Sequence, residues 1–336
     1  MSLLKNIFKI FLPFFIGLTI LWWMYRGTDW SYFREEVLHN MSWGWMAVSL
    51  LFGILPQVFR AQRWRIALKP LGEEPDRRIC RDAIFLSYAS SLVIPRIGEV
   101  TRCGTLKKYA GTGFTRSLGT VVTERLVDSL LMLLLTAVAL ALQIPKFMQF
   151  LHETGTNPSV LFRRFTGTGY LVTLGCLLLI AVTLFVLLRK YSVFRKGRAL
   201  LSELIDGIAS LRRVERPLAY LLYSLGIWVG YYLHFYIAFF CFDFTAGISP
   251  AAAFLIFCVG SFAVLVPTPN GAGPWHFAVK TMLVIYGVSE GPAILFALAV
   301  HTIQTALVIL LGVYGWADLN MLSSRPRPTV SDISTP

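Results

Sequence analysis

Long apolar runs alternate along the chain with short polar, mostly basic segments, and the length of each run decides what it can do. A helix of ~20 residues crosses a bilayer core, and runs suited to that length lie at Ile10 to Met24, Trp43 to Leu68, Leu118 to Ile144, Gly169 to Leu188, Leu218 to Phe242 and Ala293 to Trp316. Six crossing helices are therefore predicted. Two further apolar stretches do not fit as simple spans. Asp82 to Ile94 has only 13 residues, which is short for a crossing. The stretches Ala251 to Val266 and Trp275 to Tyr286 are parted by Pro267, Pro269, Gly271, Gly273 and Pro274, a cluster through which a helix cannot run.

The basic residues orient these elements, because Lys and Arg accumulate in cytoplasmic loops. Both flanks of Asp82 to Ile94 are basic, with Arg60, Arg63, Arg65, Lys69, Arg77, Arg78 and Arg81 before it and Arg96, Arg102, Lys107, Lys108 and Arg116 after it. Both flanks therefore belong in the cytoplasm, and residues 82–96 read as a re-entrant segment. Residues 251–287 read as a second broken segment, entering from the opposite face, which leaves both termini cytoplasmic. This arrangement puts 24 of the 31 basic residues inside and five outside (Arg26, Arg34, Lys146, Arg163, Arg164), with Arg125 and Lys280 within apolar segments. Two opposed interrupted segments are what an inverted-repeat transporter places around a midplane site, although no internal sequence repeat is visible. The loop 189–216 carries apolar positions at helical spacing (Leu200, Leu201, Leu204, Ile205, Ile208, Leu211) among basic residues, the pattern of a helix lying on the inner membrane surface.

Composition agrees: 56% hydrophobic residues and mean hydropathy +0.64 exceed the values of a soluble domain, and 15% charged residues fall below them. The expected fold is an all-α polytopic inner-membrane protein, a single domain over 1–320 with a polar cytoplasmic tail over 321–336. The net charge of +13 follows from basic loops, so it points to anionic lipid headgroups rather than to nucleic acid. The first run follows Lys5 and Lys9 as a signal-peptide core would. It ends in Leu21-Trp22-Trp23-Met24-Tyr25-Arg26 without a small-residue cleavage site, and reads as a retained helix. The five cysteines have no metal-ligand spacing, and neither disulfide, metal nor cofactor is expected.

Three motifs carry candidate chemistry. Arg96, Glu99 and Arg102 follow each other at three-residue spacing, so on a helix the carboxylate can pair with either guanidinium while the surplus charge holds a phosphate. A topology-setting loop with a structural ion pair is the competing reading. Glu124, Arg125 and Asp128 lie about two turns into an otherwise apolar span. Charges there cost ~2.5–3.5 kcal/mol each in lipid and should face inward and be paired, most simply with Arg96 or Arg102. A purely structural network explains them equally well. In the break around Asn270, the glycines Gly271 and Gly273 permit positive φ and close approach, Pro274 suits the first position of a new helix, and Trp275 and His276 would sit at the mouth of the resulting anion-binding helix start. A plain turn between two short helices is the alternative. No nucleotide-binding loop and no Ser/His/Asp constellation is present.

With Arg63-Trp64, Pro95-Arg96-x-Gly98-Glu99-x-x-Arg102, Glu124-Arg125-x-x-Asp128 and the Pro/Gly break from Pro267 to Gly273, the chain resembles the transmembrane, flippase-like region of bacterial lysylphosphatidylglycerol synthases. The likeness runs from about Phe8 to Asn320. In the family the last motif usually continues to a Glu where this chain has His276. The resemblance implies movement of a polar or charged-headgroup lipid between leaflets, with Arg63 and Trp64 at the membrane interface and with anionic lipids, and lipid-modifying enzymes, as partners. It also implies a stand-alone version without the soluble aminoacyl-transferase domain. Two other classes remain open: an enzyme or accessory subunit of aminoacyl-phospholipid or polyprenyl-linked glycan synthesis, with Glu124 or Asp128 as base, and a membrane scaffold.

Overall fold

The computed structural model describes residue 15 and residues 17–153, 214–266 and 268–323. The expected span Gly169 to Leu188, the surface loop 189–216 up to residue 213, the start of the first span, Pro267 and the tail beyond residue 323 lie outside the described residues.

All regular structure among the described residues is helical. Helix α1 covers 17–25. A short helix α2, Trp30–Glu35, is capped by Asp29, whose carboxylate accepts the Ser31 and Tyr32 amides; this satisfies donors a helix start leaves open. α3 spans Trp43–Leu68, the bounds predicted from its apolar run. α4 is Arg77–Val93, with Asp76 as N-cap accepting from the Arg78 amide. α5 is Ile97–Ala110, α6 Phe114–Glu153, α7 Pro217–Ala238, α8 Asp243–Ala246, α9 Pro250–Ala263, α10 Pro274–Ile285 and α11 Glu290–Ser323. Among the described residues, four helical stretches are long and apolar enough to cross a membrane: Trp43–Leu71, Phe114–Ile144, Pro217–Cys241 and Glu290–Leu322.

Both interrupted stretches form helical hairpins. α4 ends where Pro95 disfavours helical backbone in the preceding residue, and Ile94 is extended. Arg96 then takes a left-handed φ of 64° and opens α5, which folds back on α4. The first hairpin is longer than expected, since α4 begins at Arg77 rather than Asp82. α9 and α10 form the second hairpin across the Pro/Gly break, where Gly271 (φ 71°) and Gly273 (φ 91°) take conformations that favour glycine. The tips meet: Arg96 Nη2 donates to the Leu265 carbonyl at 3.3 Å.

Each hairpin has its own apolar core. Trp64 and Leu68 of α3, Cys80 and Ile84 of α4, Cys103 and Leu106 of α5, and Val121 of α6 bury one another. The second core gathers Phe235, Phe239, Ile256, Val279, Leu283 and Phe296 from α7, the turn after it, α9, α10 and α11. α3 and α7 pack closely along their length, with Gly230 leaving room for the Pro56 ring, the small-residue contact that lets helices approach in a bilayer. α11 lies on α4 through Gly312 and Gly315, and the contact is fixed at one end by Arg78 and Arg81 pairing with Asp318.

Candidate functional site

Two ion pairs of opposite polarity join α5 to α6. In the outer pair α5 supplies the carboxylate: Glu99 Oε1 accepts from Arg125 Nε at 2.7 Å, with the side chains 31% and 53% exposed. In the inner pair α5 supplies the cation: Arg102 Nη1 donates to Glu124 Oε2 at 2.8 Å, with both side chains fully buried. Glu99 and Arg102 are one turn apart on α5, while Glu124 and Arg125 are neighbours about 100° apart on α6, so one carboxylate turns inward and one guanidinium outward.

The inner pair continues into α3. Asp128, one turn beyond Glu124, accepts from Arg60 Nη1 at 2.9 Å and from Arg63 Nη1 at 2.6 Å and Nη2 at 3.1 Å. Arg63 Nε also lies 3.5 Å from Glu124 Oε1, and Arg63 Nη1 donates to Ser224 Oγ on α7 at 3.2 Å. Thus the i, i+3 pair Arg60 and Arg63 on α3 meets the i, i+4 pair Glu124 and Asp128 on α6. Burying each ion costs several kcal/mol, which only good geometry and further hydrogen bonds repay. Three buried guanidiniums here face two carboxylates, and Arg102 Nη2 has no acceptor among the described residues. Beneath Arg102 lies the Trp64 ring, 4.7 Å from the guanidinium carbon, held by its Nε1 donating to Thr120 Oγ1 at 2.9 Å.

Several sequence expectations change at this point. Arg63 and Trp64 are fully buried within the protein, because α3 turns them toward α6. Glu124 pairs with Arg102 as expected, but Asp128 pairs with Arg60 and Arg63, not with Arg96 or Arg102. Glu99 bonds across to Arg125 instead of along its own helix, and Arg125 faces outward instead of inward. Arg96 is exposed at the hairpin tip.

The second break forms a separate polar wall. Asn270 Nδ2 donates to Thr305 Oγ1 at 2.9 Å, and the Asn270 carbonyl lies 3.2 Å from His301 Nε2. The Gly273 amide donates to His276 Nδ1 at 3.3 Å. The rings of His276 and His301 have centroids 4.3 Å apart. Trp275 does not stand at a mouth: it packs against Phe235, and a Cβ on Gly260 would touch its indole. His276 is buried. Glycine at 273 serves close approach to α1, since a Cβ there would meet the Gly17 backbone. A cavity of about 490 Å³ opens beside this wall, bounded by α1, Leu92 at the first hairpin's tip, the break and α11.

Arg60 and His301 are the residues that sequence reasoning passed over. Arg60 reads in the sequence only as one of many basic flanking residues, yet it lies one helical turn from Arg63, as Glu124 lies one turn from Asp128. His301 lies inside the last apolar run with no motif around it, and its link to Asn270 spans 31 positions.

Residues 10–312 match a family model described as lysylphosphatidylglycerol synthase TM region. The match covers the α3 arginines, both hairpins and the α6 carboxylates. No curated protein and no solved structure matches.

Proposed function

The chain belongs to the lysylphosphatidylglycerol synthase transmembrane-region family, and from its charged interior we propose that it moves a lipid with an anionic or otherwise charged headgroup between the leaflets of the inner membrane. Both termini lie in the cytoplasm in this reading, and the two hairpins enter from opposite faces as re-entrant segments.

The observation that carries the proposal is the continuous run of charge from the exposed Glu99–Arg125 pair through the buried Arg102–Glu124 pair to Asp128, Arg60 and Arg63. Charges inside a membrane protein mark substrate paths by default, and this run starts where a headgroup could engage from the side. Among the described residues, four guanidiniums meet three carboxylates along it. A phosphate supplies the missing negative charge, and the Arg fork matches its oxygens. Glu124 and Asp128 are both committed to arginines, which disfavours either as the general base of an enzyme.

The test is leaflet exchange of fluorescent phosphatidylglycerol in proteoliposomes, read by dithionite quenching, together with mass spectrometry of lipids retained through purification. The native chain should accelerate exchange and retain an anionic lipid. Arg102→Lys keeps the charge but loses the fork and the guanidinium stacking on Trp64, and should slow exchange about tenfold or more, the weight of one or two charge-assisted hydrogen bonds. Exchange no faster than in empty vesicles, with bulk lipids retained unselectively, would overturn the proposal and favour a scaffold.

A further inference from the structure

The cavity beside the second break differs from the arginine cluster in one chemical respect: among the described residues, no Arg, Lys, Asp or Glu lines it. Its volume of about 490 Å³ is within the usual ~300–1,000 Å³ of ligand pockets. Its polar groups are neutral hydrogen-bonding ones from Tyr25, Asn270, His276, His301, Thr302 and Thr305. Several of these are not used up within the protein. The buried Tyr25 hydroxyl has no partner among the described residues, and its ring meets the His276 ring edge-on at 5.9 Å. Because His276 Nδ1 accepts the Gly273 amide, the proton of the neutral ring sits on Nε2, which becomes a donor. Asn270 spends its Nδ2 on Thr305 and keeps its side-chain oxygen as an acceptor.

We propose that this cavity is a subsite for the uncharged, hydroxyl-bearing part of a lipid headgroup, a glycerol or sugar unit, and that it rejects an ammonium-bearing headgroup. Interleaved donors and acceptors on an otherwise apolar wall suit hydroxyl groups, which need both. An ammonium there would be desolvated without a carboxylate to pair with, at a cost that excludes it. The inference rests on the translocation reading above and narrows its substrate.

The test uses the full chain in a detergent without a sugar headgroup and follows binding of three short-chain probes by calorimetry: dihexanoyl glucosylglycerol, dihexanoyl phosphatidylglycerol and dihexanoyl phosphatidylethanolamine. Tyr25→Phe and Thr302→Val remove one hydroxyl each at nearly constant shape. The glucosyl probe should bind, each variant should weaken it about fivefold as one hydrogen bond is lost, and the ethanolamine probe should bind at least about tenfold more weakly, as an uncompensated buried charge requires. Equal binding of the glucosyl probe to all three proteins, or of the ethanolamine probe to the native chain, would overturn the assignment. Failure of the glucosyl probe while phosphatidylglycerol binds in an Arg102-dependent manner would overturn the subsite and leave translocation standing. Failure of all three probes would sink both.

Discussion

Gly98 on α5 lies directly against the Ser87 carbonyl on α4, and a Cβ at Gly98 would overlap that oxygen and the Ser91 hydroxyl. The same hydroxyl accepts the Gly98 amide at 3.2 Å, so backbone and side chain lock the first hairpin just behind its tip. Gly98→Ala should therefore destabilise the protein by about 1–3 kcal/mol, the usual cost of overpacking. Gly104→Ala, on the same helix with nothing within 4 Å, should leave the thermal unfolding midpoint in detergent unchanged or slightly raised. Equal midpoints for the two variants would show that the hairpin contact is not close.

Asp128 holds two buried arginines, so Asp128→Asn should cost about 3–5 kcal/mol, the penalty for leaving buried charge uncompensated. Glu99→Gln breaks only the exposed pair with Arg125 and should cost no more than about 1 kcal/mol. Chemical unfolding of the purified proteins separates these cases. If Glu99→Gln proved the costlier change, the outer pair would have to be the buried one.

The proposed opposed entry of the hairpins makes a labelling prediction. Lys107, exposed at the far end of α5, and Ser289, exposed between α10 and α11, should lie on opposite sides of the membrane. On a background with the native cysteines removed, Ser289→Cys should react with an impermeant maleimide in intact cells. Lys107→Cys should react only after the membrane is opened. Reaction of both from one side would place the hairpins on the same face.

Arg78 and Arg81 of α4 both pair with Asp318 of α11. Asp318→Asn should loosen that junction and increase proteolysis near Arg78, read by limited trypsin digestion, while leaving lipid binding at Arg102 intact. Loss of lipid binding together with unchanged proteolysis would contradict this separation.

The helices were more legible than their partners. The apolar run of α3 and the basic residues that end it define Trp43–Leu68 without help from the rest of the chain, and the Pro/Gly cluster announces the second break because it forbids helix locally. Partner choice among the charges is a different matter. Helical spacing places Glu124 and Asp128 on one face, but only the rotation of α6 against α3 decides that this face meets Arg60 and Arg63. Arg125 follows from the same rotation: once its neighbour Glu124 points inward, it must point away, toward Glu99. The packing of Trp64 and Trp275 likewise depends on neighbouring helices brought together over long sequence separations, and no local pattern encodes that.

The passage of α1 over the second break, Gly17 against Ala272 and Gly273, gives the N-terminal helix a role beyond anchoring. Backbone amides and carbonyls freed by a broken helix have no water to turn to at membrane depth and must be shielded by protein. α1 is that shield on one side, and Tyr25 near its end faces the cavity behind it. With the second hairpin re-entrant as proposed, a chain cut before Trp30 would leave the break open to hydrocarbon, and the first helix roofs that hairpin rather than merely tethering it.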